Sequence, residues 1–158
     1  MTCSNCGNKM YSRRENYKYT ACGLDYVTLV NVEVRRCKDC GESEVVIPKV
    51  EKLHRVIAHF VAKSKSRLRG GEIRFLRKYL GLSGADAAHA LSVGPSWLSR
   101  CENDRAELSE GAERFLRLMV MYDQPAQSYP LKELLAEKND KKPSPIRVDL
   151  GAAWQSVD

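Results

Sequence analysis

The chain has 158 residues (17.9 kDa), 43% hydrophobic, with 26 Lys and Arg against 20 Asp and Glu, a net charge of +6 and a pI near 9.0. That length suits two small domains better than one large core, and the charge surplus is mild enough that its placement matters more than its size. No stretch approaches the ~18 apolar residues of a membrane span, and Met-Thr-Cys opens the chain without an apolar signal core, so a reducing, cytoplasmic setting is expected for its six cysteines.

The first element is one half of a matched set. Cys3 and Cys6 are followed by Gly7, and Cys37 and Cys40 by Gly41. Two thiolates spaced by two residues fit one turn of backbone around a metal, and the glycine permits the tight turn that aims N–H groups back at sulfur. Two such knuckles supply four soft ligands. They close a tetrahedral site and leave no position for a substrate water, which predicts one structural Zn2+ per chain. A disulfide or redox pair is the alternative, but thioredoxin-like chemistry needs its Cys-x-x-Cys at a helix start in an α/β pattern.

Between the knuckles, residues 17–20 and 26–34 read as strands, since Val30, Val32 and Val34 alternate with Asn31, Glu33 and Arg35. Residues 21–24, with Gly23, read as the hairpin turn. Cys22 is then an odd cysteine in that turn rather than a fifth ligand. So small a sheet has too little core to fold alone, and metal binding would supply on the order of 10 kcal/mol of its folding energy.

Pro48 predicts a helix start. Val50, Leu53, Val56, Ile57, Phe60 and Val61 form one apolar stripe, packed on a neighbour or on a second copy, with His54 and His59 beside it. A histidine metal site is the sharper alternative. The next stretch is basic (Lys63, Lys65, Arg67, Arg69, Arg74, Arg77, Lys78), interrupted only by Glu72, and Gly70-Gly71 reads as a hinge. Arg74, Arg77 and Lys78 are candidate DNA phosphate contacts, against the plainer reading of a solvated face.

Residues 71–122 read as four short helices. Ile73, Leu76, Tyr79 and Leu80 line the first. Ser83 caps the second, whose inner face is Ala87, Ala88 and Leu91, and the third begins at Pro95 with Leu98 and Cys101 inward. Two short helices crossing through alanines make a helix-turn-helix. Its second helix should present Gly94, Pro95, Ser96, Trp97, Ser99 and Arg100. Arg100 can take guanine O6 and N7, and Ser96 a base edge or phosphate. Trp97 either packs on the next helix or lies against a thymine methyl or sugar. Glu102 is expected in an internal salt bridge. Ser109 then caps a helix carrying Ala112, Phe115, Leu116, Leu118, Met119 and Met121. With Leu135, Phe115 and Met119 either complete a monomer core or form the seam of a homodimer, as a palindromic operator requires. Pro125 breaks the chain, Leu131, Leu134 and Leu135 mark a shorter helix, and a polar linker from Lys138 precedes a weakly apolar end with Trp154.

Over residues 71–122 the chain resembles the Xre (Cro/repressor-like) helix-turn-helix family. The matching residues are Ala88, Val93, Leu98 and the run Ser99, Arg100, Cys101, Glu102, while Gly84 replaces a common Gln and Ser92 a preferred Gly. Paired cysteine knuckles, a hairpin with Tyr19-Thr20, an amphipathic connector and an Xre unit, in that order, resemble the MqsA-like antitoxins and their YgiT-type zinc finger. The resemblance implies a ribonuclease toxin bound through the zinc half, dimerisation through the DNA-binding half, and repression of the chain's own operon. On the hairpin, Tyr17, Tyr19, Tyr26 and Val27 would anchor that partner, or would merely pack the sheet.

The expected fold is therefore α+β: a small zinc-bound β-hairpin domain (1–47), a connecting helix and basic linker (48–69), an all-α Xre-type unit (70–137) and a flexible tail (138–158). The three histidines are scattered, and no paired carboxylates or phosphate loop are present, so an enzyme is not expected. The expected function is a double-stranded-DNA-binding repressor and antitoxin. The alternatives are a stand-alone zinc- or redox-responsive Xre-type repressor, and an adaptor using the helices only as a dimer scaffold.

Overall fold

The computed structural model describes residues 1–122 and, beyond them, two short paired strands. Three antiparallel strands, β1 (Met10–Lys18), β2 (Thr28–Cys37) and β3 (Ser43–Val46), form a sheet in the order β1-β2-β3. Five helices follow: α1 (Val50–Lys63), α2 (Gly70–Tyr79), α3 (Gly84–Ala90), α4 (Pro95–Glu102) and α5 (Glu110–Met121). The α+β expectation holds. The hairpin is longer than expected, pairing Met10 with Cys37 at one end and Lys18 with Thr28 at the other, with a bulge between Glu15 and Tyr17. Its first half carries Tyr11, Ser12, Arg13 and Arg14, all exposed, so no period-two apolar signal marks it. Ladder hydrogen bonds and the cross-strand Arg36–Glu15 pair at 2.6 Å hold it instead. β3, unexpected from sequence, pairs with residues 33–36 of β2.

The knuckles lie at one end of the hairpin, beside Met10 and Cys37, and residues 19–27 close the other. At ~3.3 Å per residue, β1 separates these ends by roughly 25–30 Å. Residues 19–27 are not a tight turn. Tyr19 and Leu24 are buried in the same core as Ile57, Val61, Phe75 and Leu76, so sheet and helices share one apolar interior.

Pro48 precedes the N-cap Lys49, and α1 starts at Val50. The stripe expected on α1 is divided. Ile57, Ala58, Val61 and Ala62 are buried, whereas Val56 and Phe60, about 100° round the helix, are 58% and 81% exposed. His54 accepts or donates at Nε2 to the Tyr19 hydroxyl (2.9 Å) and meets Phe75 edge-on, so it serves the junction. Among the described residues, the four knuckle cysteines are the only group of three or more ligands placed to hold a metal.

Part of the basic run is spent inside the protein. Arg67 donates to the Leu108 carbonyl and pairs with Glu113 at 3.1 Å. Gly70 is no hinge: it is the buried first residue of α2, and a Cβ there would lie 2.6 Å from the carbonyl oxygens of Cys101 and Glu102. Its N–H donates to Asp104 Oδ1 at 2.6 Å. Ser83 and Ser109 cap α3 and α5 as read, accepting from the amides of Asp86 and Ala112. Ser92, at the family's glycine position, adopts a left-handed φ of 54°, a conformation costing a side chain roughly 1 kcal/mol. Ile73, Leu76, Leu80, Leu98 and Leu116 are fully buried at the centre. The readings of Pro125, Leu131, Leu134, Leu135, Trp154 and the tail lie outside the described residues; β4 (Val148–Asp149) and β5 (Gln155–Ser156) pair, antiparallel.

Candidate metal centre and nucleic-acid interface

Cys3, Cys6, Cys37 and Cys40 converge so that all four sulfurs lie within 4.8 Å of one another, with Cys3–Cys40 at 3.6 Å and Cys6–Cys37 at 3.4 Å. A tetrahedral ion with metal–sulfur bonds of ~2.3 Å requires sulfurs about 3.8 Å apart, so the cage fits with small adjustments. The knuckles are built alike. Gly7 (φ 73°) and Gly41 (φ 75°) donate to the carbonyls of Cys3 and Cys37, and the amides of Cys3 and Cys37 donate onward to Asn8 and Glu42. Cys3, Cys37 and Met10 form a small buried cluster of their own.

Amides of Cys40 and Asp39 aimed at Cys37 lower its thiol to about 7. At Cys6 the Asn8 amide favours the thiolate, but hydrogen bonds to Cys37 and Cys40, with burial and Cys3, push the thiol up to about 12. Four sulfurs this close cannot all ionise without a cation among them, and a dication removes that conflict. The donor set can hold a metal ion in a closed, non-catalytic site. Cys22 is remote from it, donating to the Tyr19 carbonyl at 3.7 Å, and Cys101 is a core residue, 1% exposed, whose burial raises its thiol.

Helix α4 has one buried and one exposed side. Pro95 starts it, Leu98, Cys101 and Glu102 bury its inner side, and Ser96, Trp97, Ser99 and Arg100 are exposed. Trp97 is 43% exposed, with the Arg100 guanidinium 5.3 Å above its ring. Glu102, 9% exposed, fixes the helix end. It accepts from Arg77 at 2.5 and 3.0 Å and from Arg74 at 3.5 Å.

The expected phosphate trio is dispersed by this arrangement. Arg77, only 15% exposed, also donates to the Leu82 carbonyl and is committed to joining α2 to α4. Arg74 bonds Asn103 and the Glu102 carbonyl while staying 42% exposed. Lys78 is exposed but lines a cavity of about 340 Å³ with Cys22, Gly23 and His54, on the side of the zinc half. Arg105 went unread in the sequence. It is exposed in the turn after α4, its amide bonded to the Arg100 carbonyl, and the left-handed Asp104 (φ 56°) that turns it back toward α4 leaves no sequence signature of its direction.

The aromatic face expected on the hairpin is not continuous. Tyr19 is 5% exposed in the core, because its hydroxyl has a partner in His54, and Tyr17 and Val27 are half-buried against the same core. Tyr26 alone is largely outward, at 49%. Its hydroxyl donates to buried Glu72 (2.5 Å) and Arg69 lies 5.2 Å over its ring, so burial and the carboxylate hold its phenol well above the ordinary range. On α5, Met119 belongs to the core, whereas Phe115, Leu118 and Met121 point outward with Tyr122 just beyond them.

Compared with known proteins, residues 1–126 match the family model described as the antitoxin component of the bacterial toxin-antitoxin system, MqsA. No curated protein and no solved structure matches the chain.

Proposed function

The chain belongs to the MqsA antitoxin family of DNA-binding, Xre-like antitoxins, and we propose that it represses its own operon and neutralises a ribonuclease toxin through its sheet. The observation that carries the DNA half is the exposure of Ser96, Trp97 and Arg100 on a helix whose far end is locked by Glu102 and Arg77. A rigid helix with an exposed Arg and Ser suits the major groove, where Arg100 would read guanine and Ser96 a neighbouring edge or phosphate. Arg74 and Arg105 flank α4 and would take backbone phosphates, with Lys78 a more remote candidate and Arg77 acting through the lock. One zinc per chain, bound by Cys3, Cys6, Cys37 and Cys40, would stabilise the sheet without taking part in chemistry. A homodimer formed through the outward residues of α5 would present two α4 helices to a palindrome. For the toxin, Tyr26 is the anchor best supported, with Tyr17 and Val27 at its margin and Tyr19 behind it.

The test separates the two halves in the full chain, because sheet and helices share a core. The gene beside this one is expressed with wild-type or variant antitoxin. Arg100→Ala should lose operator repression and still restore growth, while Cys3→Ser with Cys6→Ser should lose rescue. Loss of rescue with Arg100→Ala would move the toxin site to the helical half and overturn the assignment.

A further inference from the structure

Arg100 differs from the other arginines around α4 in what holds it. Arg74 and Arg77 are bound by Glu102. Asp104 accepts from the Gly70 amide. The contact the structure gives the Arg100 side chain is the indole face of Trp97, three residues earlier, with 5.3 Å between guanidinium carbon and ring centroid.

The chemistry of that contact has two consequences. A guanidinium lying 5.3 Å over a ring spends no N–H donor on a carboxylate or carbonyl there, so its donors remain available for the two parallel bonds that guanine O6 and N7 accept. Residues at i and i+3 share one side of a helix, and side chains lean toward its N-terminus. The stack therefore carries the guanidinium toward Pro95, the end of a recognition helix that meets base edges. A free arginine would instead spend rotamer entropy on reaching that position.

We propose that Trp97 is a positioning residue for Arg100, holding the guanidinium edge-outward so that the pair, and not the arginine alone, sets the guanine preference. This deepens the base-reading role given to Arg100 above and rests on it.

The test uses metal-loaded full-length protein and a duplex that it enriches from a random-sequence pool, with each guanine replaced in turn by 7-deazaguanine, which lacks N7. Wild type should lose affinity at one guanine per half-site, and Arg100→Ala should be indifferent to that replacement. Trp97→Leu should weaken binding to the unmodified duplex about 3- to 10-fold, the scale of a cation–π contact dried by the groove. It should cost little on the modified duplex or in an Arg100→Ala background, and Trp97→Tyr should restore most of the loss. Trp97→Leu costing as much in the Arg100→Ala background would overturn the positioning role, since Trp97 would then act by itself. Indifference of wild type to every 7-deazaguanine would overturn the guanine reading, and the proposal with it.

Discussion

Alanine at Gly70 and alanine at Gly71 should change stability in opposite directions. A Cβ on Gly70 falls 2.6 Å from two backbone oxygens, those of Cys101 and Glu102 at the end of α4. That is roughly 0.7 Å inside the ~3.3 Å at which carbon meets a carbonyl oxygen, and backbone atoms cannot rotate aside. Relief means moving α2 from α4, which pulls on the Gly70–Asp104 bond and on the Arg77–Glu102 pair together. Overpacking of this kind costs about 1–3 kcal/mol, against a helix-propensity gain of about 0.5–1 kcal/mol, so a net loss near 1–2 kcal/mol is expected. A Cβ on Gly71 meets only the Gly23 carbonyl at 3.5 Å, an ordinary contact. Gly71→Ala should keep a few tenths of the propensity gain. Urea unfolding of the metal-loaded full chain, followed by far-ultraviolet circular dichroism, measures both, and operator affinity should fall with Gly70→Ala alone. Midpoints moving in the same direction would show that the two glycines act as a flexible joint and that close α2–α4 approach is not what requires Gly70.

Three further outcomes can be measured on the same protein. Glu102→Gln leaves the 15%-exposed Arg77 without its charge partner and should cost about 3 kcal/mol in urea unfolding; a loss under ~1 kcal/mol would mean the pair is solvated. Stripping the metal with a strong chelator should unfold the sheet and also lower the melting temperature of the helices, because Tyr19 and Leu24 leave the shared core, a loss of about 3–6 kcal/mol at ~1.5–3 kcal/mol per large side chain; an unchanged helical melt would refute it. Arg105→Ala should weaken binding alike on enriched and random duplexes and reduce the salt slope by about 1 per half-site, whereas a loss confined to the enriched sequence would make Arg105 a base reader.

The parts legible in the sequence are those whose physics is local. Cys-x-x-Cys-Gly fixes its own turn, and the structure brings the four knuckle cysteines together with Gly7 and Gly41 in tight turns. Ser83, Pro95 and Ser109 announce helix starts within one turn of chain, and Leu98 and Cys101 were read inward from spacing alone. What escaped depends on partners far along the chain. Arg77 looks like any exposed cation of a basic run until Glu102, 25 residues away, is brought beside it. Gly70 reads as slack until α4 lies against it. The first half of β1 has no apolar alternation because both its faces meet water, so only pairing with β2 makes it a strand. α1 reads as one stripe because its positions satisfy the helical period, yet burying Ile57 and Val61 turns Phe60 outward.

The shared core is lopsided, and that decides which half leans on the other. The helices bring Ile73, Leu76, Leu80, Leu98, Leu116 and Val120, all nearly inaccessible, and would keep an interior without the sheet. The sheet's own buried residues beyond Tyr19 and Leu24 are Cys3, Met10, Val34 and Cys37, two of them metal-site cysteines. It is therefore stapled at both ends, by the cysteine cage at one and by the helices at the other. The second staple is polar as well as apolar: Tyr19 meets His54, and Tyr26 meets the Glu72 that also accepts the Arg69 amide at the start of α2. From there Gly70 bonds Asp104, in the turn that follows α4. A partner seated on Tyr26 would thus rest one contact away from the residue that caps α2, and α2 carries the arginines that fix α4. Such contiguity would give the proposed toxin surface and the proposed DNA surface a common support, and Tyr26→Phe, which cuts the path at its first polar contact, should weaken the coupling measured between toxin and DNA binding.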